Sequence, residues 1–267
     1  LLNLHWNFIS NKNMKKYIKD FEIKENISLT AQYSVLKLSP IDGQMPKTLP
    51  GQFVQVYVGN SRNTYLRRPI SINYIDYDKN ELWLLIRDAG EGTNSMIKSP
   101  NGSILNLIVP LGNGFSINNG HSLLIGGGVG VAPLLYLGKV LKERGNEVSF
   151  LLGARSKCDL LLLDMFSQYG NLFLSTEDGS MGEKGLVTQN SVMQTDFDFI
   201  QCCGPKPMMM AVANIAKERN IECEVSLENM MACGIGACLC CVEDTASSGN
   251  VCVCKEGPVF NINELKW

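Results

Sequence analysis

Histidine is scarce in this chain. Its 267 residues include only two, His5 and His121, and both read as incidental. No Ser/His/Asp triad and no paired-carboxylate arrangement stands out, so the sequence offers no ready hydrolytic machinery. Long apolar runs are missing too. None approaches the ~20 residues of a membrane-crossing helix, and one of the longer, Leu160 to Phe166, is interrupted by Asp164. There is no basic run, and the net charge is −2. That balance argues against nucleic acid, and the missing apolar run argues against a membrane. Leu1 to Asn13 lacks the charged-then-apolar order of a signal peptide. Met14 reads as the native start, and residues 1–16 are set apart as leader or upstream sequence.

What the chain does have is cysteine, and it is unevenly placed. Six of ten fall in one short stretch: Cys233, Cys238, Cys240, Cys241, Cys252 and Cys254. Clustering without a secretion signal favours metal or cluster ligation in a reducing cytoplasm over disulfides. Cys233, Cys238 and Cys241 follow the C-x4-C-x2-C order of plant-type [2Fe–2S] sites, with a fourth cysteine further on. Gly234 and Gly236 let such a loop bend sharply, because glycine reaches positive φ without steric penalty. Structural zinc usually draws on two C-x(2–4)-C pairs, which fits less well. Spacing alone does not choose between Cys252 and Cys254, and Cys240 offers an alternative third ligand.

Residues 17–119 read as short strands separated by turn signals at Pro50-Gly51, Gly59-Asn60, Asp78-Lys79-Asn80 and Asn101-Gly102. Phe53 to Val58 alternates in part, as a half-buried strand does, and Leu82 to Ile86 is a continuous apolar run. A small antiparallel barrel is expected. From residue 120 the pattern changes. Ser122 to Ile125 reads as a buried strand, Val131 to Arg144 as a helix with Pro133 in its first turn, and Glu147 to Leu152 as another strand. A strand ending at Cys203 precedes a helix through Ala211 to Glu218. Alternating strands and helices imply a parallel α/β sheet over 120–222. Residues 223–267, rich in Cys and Gly, read as a cluster-bound module. The fold class is thus β plus α/β in several domains.

Three further motifs carry chemistry. Arg67-Arg68-Pro69-Ile70-Ser71 pairs a guanidinium fork suited to phosphate with a hydroxyl on the same strand. Leu85-Ile86-Arg87 leads into Gly90-Glu91-Gly92-Thr93 and a short helix-like segment, where glycines expose N–H groups to an anion. Gly126-Gly127-Gly128-Val129-Gly130 follows a strand and opens a helix, as a dinucleotide loop does, although Val131 stands where a strict fingerprint has its last glycine. Cys203-Gly204-Pro205 ends a later strand and is placed to face a nicotinamide; a buried structural cysteine is the competing reading. Arg155 is placed to meet an adenosine ribose or its phosphate, so NAD versus NADP stays open. Met208, Met209 and Met210 read as core filler.

These motifs in this order resemble the ferredoxin–NADP reductase superfamily. Ser226-Leu227-Glu228, Met231 to Cys238 and Cys254 to Phe260 narrow the resemblance to the electron transfer subunits of bacterial dihydroorotate dehydrogenase B. The resemblance implies an FAD-binding barrel, with FAD held by Arg68, Pro69, Ile70, Ser71, Leu85, Ile86, Arg87, Gly92 and Thr93. It implies a nucleotide domain that takes NAD at Gly127, Gly128, Gly130, Cys203 and Gly204, and a [2Fe–2S] module. The Cys-x-x-Gly-Pro context points to Cys233, Cys238, Cys241 and Cys254 as ligands. It further implies a relay in pyrimidine (UMP) biosynthesis. Electrons from dihydroorotate enter at the FMN of a catalytic partner subunit and pass through the cluster and FAD to NAD+, in a heterotetramer of two plus two. This chain would hold no dihydroorotate site. The small subunit of an NADH-dependent ferredoxin:NADP oxidoreductase shares the layout. A zinc-binding nucleotide sensor is the reading from another class.

Overall fold

The computed structural model describes residues 14–59 and 63–267. Most of the leader reading (residues 1–13) and Asn60 of one expected turn lie outside the described residues.

Six strands close the first barrel: β1 (Tyr17–Ser28), β2 (Tyr33–Pro40), β3 (Phe53–Val56), β4 (Arg68–Asp76), β5 (Glu81–Arg87) and β6 (Ile104–Leu111). The short helix α1 (Glu91–Ile97) lies between β5 and β6. Neighbours run in the order β1-β2-β5-β4-β3-β6, and all pairs are antiparallel. Alternation explains the closure. Phe21 and Ile23, Leu36 and Leu38, Val54 and Val56, Leu82, Leu84 and Ile86, and Leu105, Leu107 and Val109 all point into one packed interior.

The second layer is a seven-stranded sheet. Its strands are β7 (His121–Gly127), β8 (Glu147–Ala154), β9 (Asn171–Thr176), β10 (Glu183–Lys184), β11 (Phe199–Cys203) and β12 (Glu222–Ser226), followed after the cluster segment by β15 (Val259–Asn261). Their order is β10-β9-β8-β7-β11-β12-β15, all parallel except β15 against β12. Helices α2 (Ala132–Glu143), α3 (Leu163–Ser167) and α4 (Lys206–Glu218) pack on it. The sheet therefore runs on past residue 222. Residues 227–258 bridge its last two strands and carry the hairpin β13 (Val242–Thr245) and β14 (Gly249–Cys252) and the one-turn helix α5 (Val253–Glu256).

Helix α2 joins the two layers. Tyr136 and Val140 enter the barrel core, while Leu134, Leu135, Leu137 and Leu141 pack under the sheet. The Asn73 side chain of β4 donates to the Ala132 carbonyl (2.9 Å), and Lys139 donates to the Ile75 carbonyl (3.0 Å). These contacts fix the crevice between the domains, where the functional groups gather.

Candidate functional site: two clefts and a cysteine loop

Strand order reverses at β7, with β8 on one side and β11 on the other. Ligands of open α/β sheets bind beyond the carboxyl ends of strands at such a switch point. A cleft of about 480 Å³ opens there, lined by Gly127 and Gly128 after β7, Ala154 and Arg155 after β8, Glu177 after β9, and Met208 on α4. Gly130 has a different part. A Cβ on it would stand 2.5 Å from the Cys203 carbonyl oxygen and 2.6 Å from the Gly204 Cα, so it lets the two turns touch. Cys203 is fully buried, with its Sγ 4.0 Å from Glu228 Oε1; burial, then the nearby Glu228 charge, pushes its thiol far up.

A second cleft of about 350 Å³ lies between barrel and sheet. Pro69, Ile70 and Ser71 of β4 and Leu85 and Arg87 of β5 form its barrel wall, and Val129 and Ala132 its nucleotide-domain wall. Leu227, Glu228, Asn229 and Met231 close the third side. Arg87 borders both clefts. Ile86 is brought to neither, because strand alternation turns its side chain into the barrel core. The two adjacent arginines also part ways. Arg67 donates to the Asn106 carbonyl (2.8 Å) and Oδ1 (2.5 Å) and to the Gln55 carbonyl (3.2 Å), and burial lowers it from its ordinary value. Arg68 instead lies against Gly92, where a Cβ would come within 2.9 Å of its Nε. Thr93 Oγ1 donates to the Gly90 carbonyl (3.0 Å) and accepts from the Ala89 N–H (2.8 Å), closing that turn.

The third side of this second cleft runs directly into the cysteine loop. Main-chain N–H groups of Ile235 and Ala237 donate to Cys233 Sγ (3.4 and 3.3 Å), and that of Cys233 to Cys238 Sγ (3.5 Å). The N–H of Gly236 donates to Cys254 Sγ (3.1 Å), and that of Cys254 to Cys241 Sγ (3.3 Å). The loop thus ties Cys233, Cys238, Cys241 and Cys254 into one network of N–H donors on sulfur, the arrangement that stabilises thiolates. Burial raises the Cys233 thiol, but the N–H donors outweigh it and bring it down to about 6. Cys254 is pushed up to about 12 by burial and by Cys241, so a bound iron would displace its proton. Cys240 turns away, its Sγ 3.6 Å from the Met230 carbonyl oxygen. Cys252 stays beside the network, its Sγ 4.0 Å from the Gly236 carbonyl oxygen, and burial, then the charges of Cys241, Cys233 and Cys238, push its thiol up. Among the described residues no three His, Cys, Asp or Glu side chains gather as a single metal ion requires. A [2Fe–2S] cluster asks less, because its four thiolates are shared between two irons.

Comparison with known proteins identifies the family. The iron–sulfur cluster binding domain of dihydroorotate dehydrogenase B matches residues 228–266, and an oxidoreductase NAD-binding domain matches residues 124–214. The electron transfer subunit of dihydroorotate dehydrogenase B (NAD(+)) from Shouchella clausii is 39% identical over 84% of this chain and 90% of its own length. Its counterpart from Fusobacterium nucleatum is 36% identical over 93% of this chain and 98% of its own length. The chain belongs to this family of electron transfer subunits. A solved NADH-dependent reduced ferredoxin-NADP oxidoreductase superposes with a TM-score of 0.82 at 28% identity, over 92% of this chain and 90% of that one. Family membership assigns FAD, a [2Fe–2S] cluster and NAD to an oxidoreductase subunit, and displaces the zinc-sensor reading.

Sequence reasoning missed part of both walls. Gln32, Tyr33 and Glu177 in the nucleotide cleft carried no motif. Asn229 carried no motif either, and Met231, which opens the cysteine motif, was not expected to wall the second cleft.

Proposed function

We propose that this chain is the electron transfer subunit of an NAD-dependent dihydroorotate dehydrogenase. It would accept electrons from the FMN of a catalytic partner subunit and deliver them to NAD+ in pyrimidine biosynthesis. One observation carries the reading: the segment from Leu227 to Met231 walls the flavin cleft and continues within two residues to Cys233. The first cleft, the second cleft and the cysteine loop therefore adjoin, an order that would put a flavin between nucleotide and cluster.

When bound, FAD exchanges two electrons with a nicotinamide and one at a time with the cluster. The protein's part is to hold the groups in that order. Arg68, with Gly92 and Thr93, would hold the FAD phosphates, and Pro69, Ile70, Ser71, Leu85, Arg87 and the main chain of Ile86 the ring and its surroundings. Gly127 and Gly128 let a dinucleotide approach the backbone, Gly130 keeps the turn closed against Cys203 and Gly204, and Arg87 faces both clefts. Cys233, Cys238, Cys241 and Cys254, the cysteines whose sulfurs accept the main-chain N–H bonds, are the proposed ligands. Apolar side chains stand exposed around the loop, Met230 at 82%, Leu239 at 65% and Ile235 at 47%. Such a patch suits a subunit interface that keeps the electron path short. A tetramer of two catalytic and two electron transfer subunits follows the family pattern. Unpaired thiols suit a cytoplasmic setting; among the described residues no helix is long and apolar enough to cross a membrane. The relative at 28% identity supports the ferredoxin:NADP alternative less than the curated relatives at 36–41% support this one.

The purified chain should oxidise NADH with artificial acceptors and leave dihydroorotate untouched until the catalytic subunit is added. Dihydroorotate turnover by the chain alone would refute the assignment.

A further inference from the structure

Gln55 carries a side-chain amide that nothing among the described residues uses. Its side chain on β3 is fully buried, and neither Nε2 nor Oε1 has a hydrogen-bond partner among the described residues. Leaving a buried donor and acceptor unpaired costs about 1–3 kcal/mol per group, so native proteins rarely keep one without a use for it. Its two neighbours Val54 and Val56 point into the barrel, which puts Gln55 on the outer face with Phe53. That face is covered by the cysteine loop. Gly234, next to Cys233, lies so close that a Cβ on it would stand 2.7 Å from Gln55 Nε2. Gln55 itself is not among the residues that line the flavin cleft.

We propose that the Gln55 carboxamide donates an N–H hydrogen bond to sulfur of the iron–sulfur cluster and raises its reduction potential. The inference rests on the cluster reading above. Reduction adds one negative charge to the cluster, and a donor on its sulfur stabilises that state more than the oxidised one. Hydrogen bonds to sulfur are among the factors that set iron–sulfur potentials. The N–H donors found on the cysteine sulfurs are main-chain groups of the cysteine loop itself. Gln55 is a donor supplied by the flavin-binding barrel, so it links the cluster's potential to the domain with which electrons are exchanged.

The test uses the full chain with both cofactors. Glutamine labelled with 15N in its side-chain amide should give a 15N coupling to the reduced cluster in pulsed electron paramagnetic resonance, and the coupling should vanish in Gln55→Met. Met keeps the length and removes the donor. Its cluster should become roughly tenfold harder to reduce, which is ~59 mV for a one-electron couple, while flavin content and flavin potential hold. An intact cluster signal without 15N coupling in the wild-type chain overturns the inference. So does a coupling that survives in Gln55→Met, or a potential shift confined to the flavin. A reduced wild-type chain with no cluster signal would instead overturn the functional reading on which the inference stands.

Discussion

Gly234→Ala is the substitution whose effect the structure specifies most fully. Gly234 has φ +71°, in the left-handed region, where a residue with a Cβ pays about 1–2 kcal/mol. The new Cβ would also stand 2.6 Å from Cγ of Gln55, which is fully buried. Overpacking of that kind typically adds ~1–3 kcal/mol. Gly249, the first residue of β14, provides the control. Its φ is +64°, and a Cβ there would meet nothing within 4 Å. Gly249→Ala should therefore carry the backbone penalty alone. The difference between the two, about 1–3 kcal/mol, falls on local opening of the cysteine loop. Bleaching of the cluster by an iron chelator reads that opening when the loop recloses faster than iron is captured. Gly234→Ala should then bleach roughly 5- to 150-fold faster than Gly249→Ala, with the flavin lost no sooner. Equal bleaching rates would mean that the loop does not pack on Gln55 as described.

Three further outcomes follow from particular contacts. Cys254→Ser should lose most of the iron and sulfide per chain, whereas Cys240→Ser, whose sulfur faces the Met230 carbonyl, should retain both; equal depletion would revise the ligand set. Burial raises Glu243, but hydrogen bonds from Asn229 (3.0 Å) and Lys206 (3.1 Å) outweigh it and hold its carboxyl below the usual value. Its stabilisation is therefore present above the ordinary glutamate pKa and is lost as pH falls through the depressed value. Because Lys206 is 56% exposed, Glu243→Gln should cost only ~0.2–1 kcal/mol at pH 7, with the gap in melting temperature narrowing in acid. Leu239→Asp should leave NADH oxidation by the chain intact but weaken assembly with the catalytic subunit, read by native mass spectrometry.

The parts of this protein that chemistry constrains locally were legible in the sequence. Four thiols on one small cluster impose a spacing, and a dinucleotide loop between a strand and a helix imposes glycines, so both stood out against their surroundings. The barrel and the parallel sheet followed from alternation and turn residues. What stayed hidden depends on contacts distant in the chain. Gln55, flanked by Val54 and Val56, reads as the wet face of a half-buried strand, and only the loop at Gly234 makes it dry. β15 is three residues long and earns its place in the sheet by pairing with β12 across the whole cysteine segment, so the Cys- and Gly-rich composition masked it. Ile86 sits in the middle of a motif but, by alternation, its side chain serves the core.

Anaerobic titration of the purified, cofactor-loaded chain with NADH, followed by absorbance and electron paramagnetic resonance, tests the central claim most directly. The account predicts that NADH bleaches the flavin, that the reduced cluster signal then appears, and that dihydroorotate produces neither change. Bleaching by dihydroorotate alone, or a cluster that stays oxidised beside a fully reduced flavin, would contradict it.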